Sequence, residues 1–554
     1  MRRPETLQEI EEAARELSRL LGAHGEWFVR ERAGGPAVGL RSGEWELTTA
    51  AGALLLSYWG EAGPRLWRVE GWGLRGEGLL LEASRRTGAE RATLELVPRA
   101  PAASAAAALR AARLSACERL ARLVGDYSGL RVGSARLSAG PRRGEPGRFA
   151  RVVLRGPATV STVGPGGFVG PGGVVGAVGA ASVESSCAAG RAAAREVLAT
   201  GPVVPPGAVE PDGFLASALA WLARVEGRGG ARRGLWLVAD AKLAAAVGER
   251  LALLRPDPGE RILLLEADEE TGGLRPAPRP SLAELLARRP PRLRRPPPPR
   301  PGELFESLTA LAPEAIDVIC SRHGETLRFR GLPFARSRRL AGRELVWFGV
   351  GPASARRPLG EGNKEELLSL VAELCEHRRA GAAERRHLFY RAAPEAWLES
   401  ALRRDVTRLD PGLRLAPLHT QFRAQRAGAA RGARPVDLLA LRRDGRLVVV
   451  ELKVSEDAAF ALQGADYWRR VAAHHRAGEI RRARLFGDAE MSDEPPLVYL
   501  VAPMLRFHRS FETLARRITP EVELYRFDIN EDWRAGVRVA RRLCLNVISC
   551  ENRN

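Results

Sequence analysis

Apolar residues recur along this chain with two different periods, and the change of period marks its elements. Near the start they lie three or four positions apart, which predicts an amphipathic helix with one buried stripe, formed by Leu7, Ile10, Ala13, Leu17 and Leu20. Between residues 25 and 98, short apolar runs are broken by glycine, which predicts strands and turns. We therefore expect a helix and a β-rich domain within residues 1–125.

Further along the chain the pattern changes to alternating strands and helices. Residues 235–266 read as strand, helix and strand, which predicts a β-α-β unit. This unit belongs to an α/β domain over residues 146–287, to which the sequence assigns no role. The segment 288–302 is dense in proline and arginine, which predicts a stiff linker. A small α+β connecting unit over residues 303–380 follows it.

The last domain, residues 385–545, has the most regular pattern. Its predicted elements are a helix from Pro394, a strand near 413–423, a hairpin around 437–453, a helix over about 457–477, a strand at 497–502, a helix near 508–518 and a strand at 522–527. This order predicts an α/β domain with a central mixed sheet flanked by helices. The chain as a whole is expected to be a multidomain α/β protein.

Size and composition agree with several folded domains. A chain of 554 residues is too long for one hydrophobic core. Apolar residues make up 45% and charged residues 27%, which excludes a disordered chain. No apolar run reaches the about 20 residues of a membrane span, so no membrane partner is expected. The six cysteines are scattered without metal-binding spacing, which favours a reducing, cytoplasmic location and no structural zinc.

The formal net charge of +20 favours a polyanionic partner, and DNA is the first candidate. The cations are almost all arginine in a chain rich in Ala, Gly and Pro, so a GC-rich coding sequence explains the charge equally well. Lysine occurs only at Lys242, Lys364 and Lys453. Because arginine is wide and always charged, whereas lysine is compact with a movable pKa, a retained lysine marks a position that arginine would not serve.

Lys453 lies in a predicted hairpin that also carries two carboxylates, Asp437 and Glu451. With a two-residue loop, the two acids face opposite sides. With a three-residue loop and a bulge at Gly445, they lie opposite each other on one face. The second strand is apolar on both sides, so charges at its end are costly unless a cation or partner compensates them. A structural ion pair at a sheet edge is the alternative.

The pattern Asp437…Glu451-Leu-Lys453 resembles the signature of the PD-(D/E)XK nuclease superfamily, which has a restriction-endonuclease-like core. Gln463 and Tyr467 lie one turn apart on the next helix and resemble the Q-x-x-x-Y motif of the RecB-like branch. With the preceding Trp-Leu-Glu, the pattern is also similar to NucS-type endonuclease domains. The resemblance covers about residues 385–530.

The resemblance implies a role for each matched residue. Asp437 and Glu451 would bind Mg²⁺ or Mn²⁺, and the backbone carbonyl of Leu452 would complete the shell. Glu399 would hold the metal or its water, with Glu395 as the second candidate for this acid. Lys453 would orient water or stabilise the transition state, and Gln463 and Tyr467 would position the lysine or the substrate phosphate. These six side chains, Asp437, Glu451, Lys453, Gln463, Tyr467 and Glu399, are the predicted catalytic residues.

Other residues are candidates for contact with nucleic acid. Arg469, Arg470 and Arg476 follow the motif on the same helix and favour contact with a DNA backbone, although the arginine-rich composition explains them equally. The scarce glutamines Gln421 and Gln425 are expected to face the substrate.

In the N-terminal domain, one group of aromatic residues allows two interpretations. They either stack bases or fill the core of a small sheet domain; they are Trp45, Tyr58, Trp59, Trp67 and Trp72.

Together these patterns predict a cytoplasmic, Mg²⁺- or Mn²⁺-dependent nuclease that hydrolyses phosphodiester bonds in DNA, in repair, recombination or defence. A homodimer is compatible with the sequence. The alternative function is a catalytically silent restriction-like domain that acts as a nucleic-acid-binding or assembly module.

Overall fold

The computed structural model describes most of the chain between residues 3 and 546. The described segments are 3–4, 6–31, 38–41, 43–50, 52–59, 65–75, 78–85, 91–99, 102–141, 144–156, 195–204, 209–227, 234–256, 262–268, 272–293, 301–321, 324–340, 343–351, 356–422 and 435–546. Across these segments, no helix is both long and apolar enough to cross a membrane.

The helices and strands alternate in blocks along the chain. The helices are α1 Leu7–Gly22, α2 Ala102–Ser128, α3 Pro211–Glu226, α4 Ala241–Leu251, α5 Leu282–Ala287, α6 Glu303–Leu311, α7 Lys364–His377, α8 Leu388–Arg391, α9 Pro394–Arg404, α10 Phe460–Arg476, α11 Glu479–Arg482 and α12 Phe511–Ala515. The strands up to the middle of the chain are β1 Glu26–Glu31, β2 Val38–Arg41, β3 Trp45–Ala50, β4 Ala53–Tyr58, β5 Arg65–Arg75, β6 Gly78–Arg85, β7 Arg91–Pro98, β8 Arg131–Leu137, β9 Phe149–Gly156, β10 Arg195–Pro202, β11 Gly234–Ala239, β12 Ile262–Ala267 and β13 Leu274–Pro276. The remaining strands are β14 Ile316–Ser321, β15 Gly324–Phe329, β16 Leu332–Leu340, β17 Arg343–Phe348, β18 Arg357–Pro358, β19 His419–Phe422, β20 Val436–Leu441, β21 Leu447–Leu452, β22 Leu497–Pro503, β23 Leu524–Ile529 and β24 Val539–Cys544.

The chain forms two compact units, each built from two separate segments. The first unit combines residues 1–109 with 296–400, and the second combines residues 110–295 with 401–554. The sequence instead predicts a series of contiguous domains, because sequence patterns carry no information about which distant segments share a core. The protein is therefore a multidomain α/β protein, as predicted, with a β-rich N-terminal part.

In the first unit, the described strands form two antiparallel sheets with separate cores. The N-terminal sheet has the order β2-β1-β7-β6-β5-β4-β3. Ile10, Ala13 and Leu17 of the stripe predicted for α1 pack against it, whereas Leu7 is 68% exposed. Tyr58, Trp67 and Trp72 lie in this core, whereas Trp59 is 46% exposed. The core interpretation therefore holds for most of the aromatic group, because buried rings offer no face to a base. The second sheet, β14-β15-β16-β17-β18, packs with α6 and α7.

The second unit contains two mixed sheets that share one hydrophobic core. Their orders are β13-β12-β11-β10-β9-β8 and β19-β20-β21-β22-β23-β24. Helices α3 and α4 of the first sheet and α10 and α12 of the second contribute to the same apolar cluster. Leu293, in the predicted linker 288–302, packs against the C-terminal core. This part of the segment is therefore bound to the unit, and residues 294–300 lie outside the described residues.

The C-terminal sheet follows the predicted order of elements and adds one strand. β20 and β21 are antiparallel, and β21, β22 and β23 run parallel to one another. Every residue of β21 is buried, as expected of a central strand that is apolar on both sides. β24 is absent from the predicted order because its charged residues, such as Arg541 and Arg542, are typical of an exposed edge strand.

The cysteines differ from the expectation in one place. Cys544, at the end of β24, is disulfide-bonded. Cys117, Cys320 and Cys375 are free thiols. The scattered spacing along the sequence did not predict a disulfide.

The turn between β20 and β21 yields the first testable prediction. Gly445 has φ of +81°, and a Cβ there would lie 2.8 Å from Ser492 N and 3.0 Å from Glu490 O. Gly487 has φ of +65° with no atom within 4 Å of such a Cβ. We expect Gly445→Ala to lower the free energy of unfolding by more than about 2 kcal/mol, and Gly487→Ala by about 1 kcal/mol. Urea unfolding of both variants measures this, and equal losses would contradict the proposed crowding at Gly445.

Candidate active site

The register of one hairpin brings the two predicted acids together. Leu438 pairs with Val450 and the ladder continues to the turn, where Arg442 N donates to Arg446 O at 2.9 Å. The loop thus has three residues and ends at the left-handed Gly445, as the metal-site hypothesis required. Continued one residue beyond the Leu438–Val450 pair, the same register places Asp437 opposite Glu451.

Glu451 is enclosed at the carboxyl end of β21. Its side chain is 1% exposed. Oε1 accepts a hydrogen bond of 2.8 Å from Lys453 Nζ, while Oε2 has no hydrogen-bond partner among the described residues. Oδ2 of Asp437 accepts from the backbone N–H of Leu452 at 2.9 Å. The site therefore holds two carboxylates and one ammonium, with one buried oxygen left without a donor.

Burial dominates the electrostatics of the two acids. It raises the pKa of Glu451 well above its usual value, and the neighbouring Asp437 raises it further, while Lys453 opposes both effects. Burial also raises the pKa of Asp437, against the Leu452 N–H and the Lys453 charge. Two buried carboxylates retain a proton unless a cation replaces it. The donor set, all carboxylate oxygen with one unpaired atom, fits a hard divalent cation.

Gln463 and Tyr467 face the carboxylates from α10. Gln463 Nε2 donates to the Tyr467 hydroxyl oxygen at 2.8 Å, as expected for residues one turn apart. Burial, followed by the negative charge of Glu451, raises the pKa of Tyr467, and Asp437 adds to this. The phenol therefore stays protonated and its O–H is a hydrogen-bond donor.

Gln421 lies beside Asp437 on the neighbouring strand. It falls between the pairs that Thr420 and Phe422 make with β20, and its backbone is left-handed with φ of +49°. Its Nε2 lies 3.4 Å from Asp437 Oδ1, a long hydrogen bond. Gln421 thus contacts a predicted metal ligand, whereas Gln425 lies outside the described residues.

Two of the three predicted phosphate-binding arginines have a structural role instead. Arg469 and Arg470 are 7% and 8% exposed. Arg469 Nη2 lies 2.6 Å from Asp466 Oδ1, and Arg470 also pairs with Asp466. Arg250 of α4 reaches the same carboxylate at 3.0 Å. The prediction that Arg469 and Arg470 bind DNA is corrected by this burial, while Arg476 is exposed.

Asp466 has no predicted role, although it lies inside the Gln-x-x-x-Tyr motif. It is 1% exposed, and the three arginines around it lower the pKa of its carboxyl against the effect of burial. Its position one residue before Tyr467 is the only signal that the sequence offered. A buried carboxylate with three guanidinium partners joins α10 to α4 and fixes the helix that carries Gln463.

The predicted third acid belongs to the other compact unit. Glu399 is buried, and its Oε1 lies 4.0 Å from Arg328 Nη1 in the first unit. Glu395, the second candidate, is half-buried on the same helix. Within the described residues, no group of three or more His, Cys, Asp or Glu side chains has the geometry to hold a metal. A metal-binding role for Glu399 and for the Leu452 carbonyl stays a prediction.

Comparison of the chain with protein-family models, with curated proteins and with solved structures finds no match. The chemistry assigned to the site therefore depends on the geometry of its own residues.

The raised pKa values yield a prediction on stability without metal. A carboxyl whose pKa is higher in the folded than in the unfolded state makes the folded state bind more protons, so the free energy of unfolding falls as pH rises above about 4. We expect a fall approaching about 1.4 kcal/mol per pH unit for each such proton. Glu451→Gln removes the most strongly shifted group and flattens this slope.

Urea unfolding in EDTA at several values between about pH 5 and pH 8 measures the slope. Glu456→Gln, at an exposed position of the same segment, is the control. Equal slopes in the wild type and Glu451→Gln would show that burial of Glu451 does not carry the effect.

Proposed function

We propose that this protein is a metal-dependent nuclease that hydrolyses phosphodiester bonds in DNA. The observation that carries the proposal is the buried pair Asp437 and Glu451 beside Lys453 at the end of a central strand. A fold gains no stability from two buried carboxylates, since their desolvation is unfavourable. Buried carboxylates that lie close together and have shifted pKa values are typical of functional sites.

The arrangement of elements around the pair supports the same proposal. The acids lie on β20 and β21, α10 follows with Gln463 and Tyr467, and β22 and β23 extend the sheet in parallel. This is the element order that a restriction-endonuclease-like core of the PD-(D/E)XK superfamily would have. We propose that fold for the C-terminal part of the second unit.

A divalent cation fits the carboxylate pair. Asp437 and Glu451 would hold Mg²⁺ or Mn²⁺, and the Leu452 carbonyl is the further ligand that we propose. When bound, the cation supplies positive charge to the phosphate oxygens and acidifies water. Oε2 of Glu451, which lacks a donor in the described residues, is the atom with free capacity for it.

The remaining side chains have distinct tasks in this proposal. The Lys453 ammonium lies 2.8 Å from Glu451 Oε1 and 5.9 Å from the centre of the Phe460 ring. It provides a fixed positive charge for the transition state of phosphoryl transfer. Tyr467, protonated and oriented by Gln463, donates a hydrogen bond towards the carboxylates or a substrate phosphate oxygen.

DNA is the proposed partner because the chain carries a net charge of +20. Arg476 is exposed at the end of α10, where a basic residue can reach a phosphate without losing a structural ion pair. We propose a cytoplasmic role in DNA repair, recombination or defence.

A second candidate is a catalytically silent module that binds nucleic acid or serves assembly. One observation favours it: no described group of three acids, histidines or cysteines has metal-binding geometry. In that case Lys453 would only neutralise Glu451 as a structural ion pair. The cleavage experiment separates the two functions.

We expect cleavage of DNA that depends on Mg²⁺ or Mn²⁺ and falls by about 100-fold or more in Asp437→Asn and in Lys453→Ala. The assay uses labelled single-stranded, nicked and branched DNA, with the melting temperature of each variant as a test of folding. Lys364→Ala removes an exposed lysine that pairs with Glu361 and should cleave as the wild type does. Cleavage that persists in both site variants would refute the site, and binding without any cleavage would favour the silent module.

The arginines of α10 yield a separate prediction. Arg476→Ala should weaken DNA binding without changing the melting temperature, because its side chain is exposed. Arg469→Ala should lower the free energy of unfolding by about 2–4 kcal/mol, because it removes a buried partner of Asp466. Fluorescence anisotropy with a labelled duplex and thermal unfolding measure the two effects. A stability loss in Arg476→Ala of the size expected for Arg469→Ala would contradict this division of roles.

A further inference from the structure

The two sheets of the second unit follow the same path. From its first to its last strand, the middle half (residues 110–295) runs β8-β9-β10-α3-β11-α4-β12-β13, with α2 before this series and α5 after it. The C-terminal half (residues 401–554) runs β19-β20-β21-α10-β22-α12-β23-β24, with short α11 added after α10. In both, the first three strands are antiparallel, the third, fourth and fifth are parallel, and the last is antiparallel. Each half is thus a copy of the other in topology.

The strand registers also agree residue by residue. The parallel strands align as Leu198, Leu235 and Ile262 in the middle half and as Val449, Val498 and Leu524 in the C-terminal half. Counting four residues on from the last pair makes Glu266 the counterpart of Asp528. These two acids each pair with an arginine on the following edge strand, Arg275 at 2.6 Å and Arg541 at 2.8 Å. The correspondence therefore extends to an ion pair.

The two halves meet through reciprocal contacts. A backbone bridge joins Leu254 to Ile518, the residues that follow α4 and α12. Two backbone hydrogen bonds flank it, from Arg255 N to Arg517 O at 2.7 Å and from Thr519 N to Leu253 O at 2.8 Å. Exchange of residues 253–255 with 517–519 turns one bond into the other. Because equivalent segments of the two halves form this bridge, the halves meet about a local two-fold axis, as the partners of an isologous interface do. Helices of both halves fill one core around it.

The middle half lacks the chemistry of its counterpart. The registers make Arg151 the counterpart of Asp437, Thr200 that of Glu451 and Pro202 that of Lys453. Thr200 Oγ1 donates to a backbone carbonyl at 2.7 Å, and Arg151 Nη2 lies 3.1 Å from Glu145. Both side chains are therefore engaged within the middle half, Thr200 by a hydrogen bond and Arg151 by an ion pair, and the two positions hold no carboxylate pair.

The helix after the third strand differs in the same way. Both α3 and α10 contribute a buried tryptophan to the shared core. Aligned on that tryptophan, α3 has Ala216 and Ala220. The corresponding residues of α10 are Gln463 and Tyr467. Five polar positions of one half are therefore replaced in the other.

We propose that the middle half is a catalytically silent counterpart of the C-terminal half, joined to it as one protomer of a two-fold pair is joined to the other, and that the chain cuts one DNA strand per binding event. This rests on the proposed nuclease function. One hydrolysis adds one water across one ester: the water oxygen bonds to phosphorus, one P–O bond breaks, and the protons end on the released hydroxyl and the phosphate. Cutting the second strand in the same binding event would require a second centre. The face of the C-terminal half through which a second copy could add one is already covered by the middle half.

The first test follows supercoiled plasmid DNA with Mn²⁺ over time. Nicked circles should accumulate to most of the product before any linear DNA forms. Linear DNA that appears directly from supercoiled DNA, at the rate of nicking, would overturn the proposal. Thr200→Val should nick within about two-fold of the wild-type rate, whereas Glu451→Gln should lose about 100-fold or more. A folded Thr200→Val variant that fails as Glu451→Gln does would show that the middle half takes part in catalysis.

The second test needs no activity. Light scattering of the full chain, alone and with a short duplex, should give the mass of one chain, 60.1 kDa, plus at most one duplex. Two chains on one duplex would bring two centres together and would overturn the proposal. If light scattering gives one chain but the wild type cleaves no DNA with either metal, the nuclease function fails while the single-centre arrangement stands.

Discussion

The second unit depends on one hydrophobic core that two sheets share. Helices from residues 211–251 and 460–515 pack into it, with residues such as Phe214, Trp468 and Phe511 fully enclosed. Burial of this surface supplies the stability that a mixed sheet with exposed edges lacks. The core also sets the position of α10, and therefore of Gln463 and Tyr467, relative to the carboxylates on β20 and β21.

The free energy gained from this core offsets the cost of burying two carboxylates near the end of β21. The site places Asp437 and Glu451 together in a medium that disfavours charge, and Lys453, the Leu452 N–H and a long hydrogen bond from Gln421 partly compensate them. The strands that carry the two acids are apolar and almost wholly buried, so water does not screen their repulsion. Cation-binding sites are commonly arranged in this way, because the bound cation provides the positive charge that the protein's own side chains do not supply.

The ion pairs around Asp466 show a different use of buried charge. Arg250, Arg469 and Arg470 satisfy its carboxylate from two helices of two halves. Here each charge has its partner, so the cluster fixes the relative position of α4 and α10 rather than binding a ligand. Glu451 differs, because its Oε2 has no donor among the described residues. The first group is therefore a structural ion network and the second a candidate site.

The sequence by itself determined the hairpin, the face that Glu451 and Lys453 share, and the helix that follows, because strand alternation and helical periodicity are local properties. It left the loop at two or three residues, and the structure, with a three-residue loop ending at Gly445, placed Asp437 on that face. Only the tertiary structure decided which segments share a core, that Arg469 and Arg470 are buried, and that the middle half repeats the C-terminal half in register. Those outcomes depend on contacts between residues more than 200 positions apart, such as Arg250 with Asp466. No local pattern encodes them, since the two halves have kept their topology while the residues at the equivalent site positions differ.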